Sequence, residues 1–213
     1  MIHILYQDKE LAVCRKPAGL LSQDGPGDTL PSLLRGQLGG DIFPVHRLDR
    51  EAGGVMVFAR TSRAAGALSG AISRGEFRKE YLCIARGRPE AEEGSYRDLL
   101  LHDKSRNKSF VVQRARGGVK EALLDYRLLA ERDGLALVLV RLHTGRTHQI
   151  RVQFASRGTP LVGDGKYGGG SGGMALWSWA LAFRHPGGKM MDFRALPEGG
   201  AWDGFAPALS RLK

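Results

Sequence analysis

Cysteine is scarce in this chain: two in 213 residues, Cys14 and Cys83, far apart in apolar stretches. That usage predicts buried reduced thiols rather than a disulfide, and a cytoplasmic setting. Paired cysteines and a His-Glu-x-x-His pattern are both absent, which argues against zinc. No apolar run reaches the roughly 18 residues of a membrane span. Residues 1–10 show neither a basic leader with an apolar core nor a small-residue cleavage site, so no secretory signal and no membrane partner are expected. Acidic residues are also in deficit, 22 against 32 Lys plus Arg, and they form no cluster of the kind a metal-dependent nuclease needs. No bound metal is expected. At 42% hydrophobic and 25% charged, the composition is that of an ordinary folded protein. The length fits one domain or two intimately packed lobes.

What is present in excess is arginine. The formal charge is +10 with a pI near 10.0, and 23 of the 32 cations are Arg. The planar guanidinium fork suits phosphate oxygens and stacks on bases, so the bias favours a polyanionic partner. A GC-rich genome would also enrich Arg, Gly and Ala without regard to function. Position separates the two explanations better than the sum does. Residues 103–120 carry Lys104, Arg106, Lys108, Arg114, Arg116 and Lys120 against Asp103 alone. Residues 141–157 carry Arg141, Arg146, Arg151 and Arg157 and no acid. These two stretches hold +9 of the net charge. The first could be a solvated basic hairpin or a nucleic-acid surface. The second mixes arginines with Thr144, Gly145 and Gln149 where a helix begins, an arrangement suited to an anion.

Hydrophobic patterning predicts strands over residues 2–6, 11–14, 54–59, 80–85, 99–101, 110–113, 122–129, 135–142 and 174–183. Helices are expected over 29–38, over 61–74 with Thr61 or Ser62 as cap, and over 147–156 with Ile150 and Phe154 facing the core. Glu131-Arg132-Asp133-Gly134 reads as a hairpin connection. Strands outnumber helices and do not alternate with them, which predicts an α+β fold with a mixed, largely antiparallel sheet. No linker or internal repeat divides the chain. The stretch 168–173, five glycines and a serine, is expected to be a loop.

Three segments hold more polar chemistry than a core or a plain loop requires. In His46-Arg47-Leu48-Asp49-Arg50, an extended chain would turn Arg47 and Asp49 outward and Leu48 inward. A carboxylate between two arginines stays ionised, which suits a nucleophile, an anchor or a base; a surface ion pair is the commoner fate of Arg-x-Asp. Tyr81, in Arg78-Lys79-Glu80-Tyr81, could be core or could offer its ring to a base and its hydroxyl to chemistry. The third segment is Thr144-Gly145-Arg146-Thr147-His148-Gln149-Ile150-Arg151, followed by Gly163-Asp164-x-x-Tyr167-Gly168. His143 and His148 lack a third ligand, so hydrogen bonding is expected of them rather than metal binding.

Taken together, His46-Arg47-Leu48-Asp49 with Gly54, Lys79-x-Tyr81, the Thr144–Arg151 run and the Gly163–Gly168 run resemble the RluA-type pseudouridine synthases. The match keeps order and approximate spacing from about residue 10 to about residue 185. The resemblance implies a mixed, largely antiparallel central sheet with flanking helices and an active-site cleft across it. It implies isomerisation of uridine to pseudouridine in structured RNA, either rRNA or tRNA, with no cofactor. Asp49 falls on the nucleophile, Arg146 on the arginine that pairs with it, and Tyr81 on the tyrosine that stacks on the target base and serves in proton transfer. Arg47 and His46 match substrate-binding positions, and Arg151 lies in the same anion-binding segment. The target base is expected to flip out of its stack. Where the family usually has Thr-Ser-Gly after the aspartate, this chain has Ala52-Gly53-Gly54, losing two hydroxyls and keeping the last glycine. Relatives often carry an S4-type RNA-binding domain ahead of the catalytic fold. With about 45 residues before His46, residues 1–213 are expected to be a single catalytic domain without one, acting as a monomer. A non-catalytic RNA-binding or chaperone module on the same fold is the alternative.

Overall fold

The structure is a computed structural model describing residues 1–212. In chain order it contains β1 (His3–Gln7), β2 (Leu11–Lys16), α1 (Leu30–Leu38), β3 (Phe43–Pro44), β4 (Gly53–Ala59), α2 (Ser62–Ser73), β5 (Arg78–Arg86), β6 (Glu93–Asp103) and β7 (Lys108–Val112). There follow β8 (Val119–Arg132), β9 (Leu135–Leu142), α3 (Gln149–Ala155), β10 (Leu176–Arg184), β11 (Met190–Arg194), a 3-10 turn over Gly200–Phe205 and α4 (Ala206–Ser210). The class is α+β, with largely antiparallel pairing and flanking helices, as expected. The chain forms two compact units, each drawn from two stretches of sequence. One comprises Met1–Lys79 and Trp177–Pro197; the other comprises Glu80–Leu176 and the chain from Glu198 onward.

In the first unit the strand order is β1-β2-β4-β10, with β3 on β4 and β11 on β10. Strands β2 and β4 pair antiparallel from Leu11↔Ala59 to Lys16↔Gly54. Both are apolar almost throughout because both faces are covered. Helix α2 lays Ala64 and Leu68, four apart, onto Leu11, Val13, Val55, Val57 and Phe183. Full burial of a side chain such as Leu68 contributes about 1.5–3 kcal/mol. Phe77 and Phe183 stack at 5.0 Å in the same core. Helix α1 starts where Thr29 and Ser32 cap each other reciprocally. Of the two caps expected for α2, Thr61 is the one used, accepting from the Ala64 N–H at 3.1 Å.

In the second unit the order is β5-β9-β8-β6-β7. The β8–β9 hairpin closes on Asp133-Gly134, both at positive φ (51° and 72°), the two-residue turn that fits strand twist. Strand β6 is much longer than its apolar signal at 99–101, because pairing with β8 continues through Glu93↔Arg127. Helix α3 is shorter than expected, since His148 adopts a left-handed conformation (φ 55°) and delays its start. Ile150 and Phe154 face the core, as expected, and the Phe154 ring packs edge-on against Tyr96 and Tyr126. Helix α3 is buried on nearly all sides rather than on one stripe.

Candidate functional site

The chemistry-bearing residues of the first unit gather around the turn that follows Asp49. Strand β2 ends on Lys16, whose side chain is fully buried. Pro17 then breaks the strand, and Lys16 Nζ turns onto the carbonyls of Pro17 (3.0 Å), Arg50 (2.9 Å) and Ala52 (2.6 Å). Burial pushes this amine down to about 8, opposed by the negative charges of Glu51 and then Asp49. A charged donor thus sits behind the turn, fixing two of its carbonyls. The turn is closed by the Ala52 N–H on Asp49 O at 3.1 Å. Gly19 grips it from outside, donating to Arg50 O at 2.8 Å and accepting from Arg50 Nε at 2.9 Å. Upstream, Ser22 exchanges two bonds with the Leu48 backbone, at 2.8 and 3.2 Å.

Leu48 points into the core and Arg47 is exposed, as an extended segment dictates; Asp49 is half-buried. His46 has an internal task. Strand β3 ends at Pro44, and the His46 Nε2 accepts from the Val57 N–H of β4 at 3.1 Å, extending the ladder by a side chain. Burial, and secondarily the Lys79 charge, pushes the imidazole down to about 3. A neutral ring accepting at Nε2 carries its proton on Nδ1, which is buried without a partner. His46 thus holds the Asp49 segment on β4.

Past the turn, β4 pairs parallel with β10 through Trp177↔Gly53 and Ser178↔Gly54. Gly54 has φ +118°, and a Cβ there would run into the Ser178 backbone, 2.5 Å from its nitrogen. Only glycine fits. Ser178 Oγ donates to Val55 O at 2.9 Å, tying β10 to β4 just beyond the turn.

In the second unit, Tyr81 lies on β5 and is 95% buried, its exposure being 5%. Arg146 is exposed, with Nε donating to Glu121 O at 2.9 Å. The loop that carries it is built by Gln149: its Oε1 accepts from the Arg146 N–H (3.0 Å) and the Thr144 hydroxyl (2.8 Å), and its Nε2 donates to Leu123 O (3.1 Å). The Arg146 N–H and the Gln149 N–H are thus engaged within the loop itself, the second on Arg146 O at 3.1 Å.

Arg151 departs from expectation. It is 4% exposed, and its fork makes bidentate bonds of 2.7 and 2.8 Å to the fully buried Asp164 carboxylate. The side chain braces the loop after α3. Tyr167 completes that brace, its ring 5.2 Å from the Arg151 guanidinium and its hydroxyl accepting from the Ser109 N–H at 2.7 Å. His148 bonds the same hydroxyl through Nδ1 at 3.0 Å, and His143 bonds Asp125. Both histidines are hydrogen-bonding groups. Lys108 also turns inward, 5.1 Å from the Tyr167 ring, whereas Lys104, Arg106, Arg114, Arg116 and Lys120 are exposed.

Sequence reasoning missed Lys16 as a site residue. The available signal was its place: a lysine continuing the apolar run of a two-sided strand must be buried, and a buried ammonium requires acceptors. It also left the partners of Arg151 unread, although Asp164 stood in the same motif.

Comparison with known proteins matches the family described as RNA pseudouridylate synthase over residues 10–156. A Bacillus subtilis protein named uncharacterized RNA pseudouridine synthase YhcT is 34% identical over 180 residues, covering 80% of this chain and 59% of that one. An Aquifex aeolicus uncharacterized RNA pseudouridine synthase is 37% identical over 180 residues, covering 78% and 56%. The ribosomal large subunit pseudouridine synthase D of Zymomonas mobilis is 31% identical over 219 residues, covering 91% and 68%. The chain spans less than two thirds of the first two relatives. In fold it is similar to human RNA pseudouridylate synthase domain containing 1, with a TM-score of 0.79 at 21% identity, over 99% of this chain and 95% of the other. Human RNA pseudouridylate synthase domain containing 4 superposes with a TM-score of 0.77 at 25% identity, over 99% and 92%. On the family match and these identities, the chain belongs to the RNA pseudouridylate synthase family.

Proposed function

We propose that this protein is an RluA-type synthase that isomerises uridine to pseudouridine in structured RNA, rRNA or tRNA, with Asp49 as nucleophile. The observation that carries the reading is the Asp49 turn itself, fastened by a buried lysine, two backbone bonds and the β4–β10 register, and lying inside the matched family region. A carboxylate presented on so constrained a turn is pre-organised, which is what a nucleophile needs. The reaction breaks the bond from ribose C1′ to uracil N1 and makes one from C1′ to C5. N1 gains a proton and C5 loses one, so electrons balance without a redox partner or cofactor. Tyr81 is the base-stacking residue and the candidate for the proton at C5, and Arg146 is the cation that serves Asp49. Arg47, exposed beside Asp49, engages the RNA. The solvent-facing cations Lys104, Arg106, Arg114, Arg116 and Lys120 supply the sequence-independent grip on phosphates. The protein acts in the cytoplasm as a monomer.

The test is Asp49→Asn, with the fold checked by circular dichroism and pseudouridine measured by mass spectrometry of nucleosides from bulk tRNA and rRNA. Loss of the nucleophile is expected to lower conversion by at least about 10³-fold. Undiminished conversion by the variant refutes the assignment. Salt-sensitive RNA binding by the wild type with no conversion of any uridine would instead establish a binding module.

A further inference from the structure

Gly53 lies one residue beyond the Asp49 turn, and its α-carbon faces the indole of Trp177 across the parallel β4–β10 register. A Cβ at position 53 would overlap Trp177 Cζ3, lie 2.8 Å from Cε3 and reach 3.2 Å from Lys16 O. The indole cannot swing aside cheaply. Its Nε1–H donates to Ala195 O at 2.7 Å, and the Arg15 guanidinium sits 5.0 Å from its ring centroid. Its strand is held by the Ser178 hydroxyl on Val55 O. Lys16, whose carbonyl bounds the same space, is the residue whose Nζ holds Arg50 O and Ala52 O. The turn is therefore clasped between an ammonium on one side and an indole on the other.

We infer that Trp177 is a positioning residue for Asp49, its ring occupying the space of a side chain at position 53 and setting the exit of the Asp49 turn. Glycine at 53 and tryptophan at 177 form one steric unit, in which either partner is tolerated only with the other. The inference rests on the reading of Asp49 as nucleophile. It also accounts for the loss of the usual serine hydroxyl at position 53: the indole has taken its room, and the Ser178 hydroxyl supplies a bond one pair further along.

Four proteins test it: wild type, Gly53→Ser, Trp177→Leu and the double variant. Leucine keeps a strand-compatible apolar side chain and removes the six-membered ring that collides. The probe is unmodified rRNA and tRNA from cells lacking this gene, followed under single-turnover conditions so that the maximal rate and the half-saturating enzyme concentration separate. Gly53→Ser is expected to lower the maximal rate about 10- to 100-fold, as a misplacement near 1 Å does, with half-saturation nearly unchanged. In the Trp177→Leu background the same serine is expected to cost less than about twofold, a non-additivity that marks direct coupling. Additive losses overturn the inference. So does a Trp177→Leu protein with a lowered melting temperature and a wild-type maximal rate, because that is a purely structural role. Carboxyl 13C NMR of Asp49 gives a readout independent of turnover. Its chemical shift is expected to move in Gly53→Ser and to return in the double variant, and an unmoved resonance overturns the inference even if wild type converts no RNA. A wild type that converts no RNA while the Asp49 signal follows the serine refutes the enzyme reading and leaves the positioning of Asp49 standing.

Discussion

Replacing Lys16 with methionine removes the charge behind the Asp49 turn while keeping most of the aliphatic volume. Three carbonyls lose their donor: Pro17, Arg50 and Ala52, now bonded at 3.0, 2.9 and 2.6 Å. Hydrogen bonds from a charged group contribute about 1.5–3 kcal/mol each, so the gross loss is about 5–9 kcal/mol. Against this stands the cost of burying the ammonium, visible as the fall of its pKa from 10.5 to about 8. At 1.36 kcal/mol per unit that is about 3 kcal/mol, which methionine recovers. The net destabilisation is therefore on the order of 2–6 kcal/mol, a lowering of the melting temperature by roughly 5–20 °C for a chain of this size. The pH dependence is more telling. Between pH 8 and 10.5 the folded amine has lost its proton while the unfolded one keeps it, so the unfolded state binds more protons and stability rises with pH. Groups common to both proteins cancel in the comparison. Urea unfolding followed by circular dichroism at pH 7, 8, 9 and 10 is expected to show the wild-type advantage over Lys16→Met growing by about 3 kcal/mol over that window. An advantage that is constant or shrinking would mean that Lys16 is not desolvated behind the turn.

His46 gives the acid counterpart. Its folded pKa lies near 3, so the unfolded state binds the extra proton as pH falls below 6.5, and stability drains away between 6.5 and 3. His46→Gln, with an amide oxygen in place of Nε2, is expected to flatten urea midpoints compared at pH 7, 5.5 and 4.5; an unchanged slope refutes the assignment. Arg151→Met strands the buried Asp164 carboxylate and is expected to destabilise by about 3–5 kcal/mol, most of it restored in Arg151→Met/Asp164→Leu, as read by thermal melting. Additive losses in the pair would mean that the brace is not electrostatic. Neutralising Lys104, Arg106, Arg114 and Arg116 to Gln is expected to weaken RNA binding and reduce the log–log salt slope by about 3 with melting unchanged. An unaltered slope returns that stretch to a solvated hairpin.

Much of the fold was legible because local chemistry and tertiary demand agree. Thr61 is a good cap ahead of apolar helical spacing, and it caps. Asp133-Gly134 is a turn by its own φ preferences. What was illegible depended on distant partners. The polar half of β6 is a strand because β8 offers it a ladder, and nothing in Glu93-Gly94-Ser95 announces that. Strand β11, the 3-10 turn and α4 carried too weak a pattern to be predicted. Motif order singles out Asp49 and Arg146, whereas burial separates look-alikes that sequence cannot. Arg151 and Arg146 stand five apart in one basic run, yet one is sealed against Asp164 and the other is exposed. The structural bond of His46 was illegible because the backbone N–H it satisfies belongs to a strand eleven residues later.

The discontinuous make-up of the first unit sets an order of events during synthesis. Residues 1–79 leave the ribosome with the Asp49 segment complete, but the strand that flanks Gly53 and Gly54 is encoded only at 177 and 178. A growing chain emerges amino end first, at about 5–20 residues per second, so the wait for that strand after residue 79 lasts roughly 5–20 seconds. During it, the Gly53–Gly54 end of β4 lacks its β10 partner, and an unpaired strand edge is prone to wrong pairing. The Asp49 loop is therefore completed late by construction. Premature termination anywhere in the intervening stretch yields a polypeptide that carries Asp49 and cannot seat it.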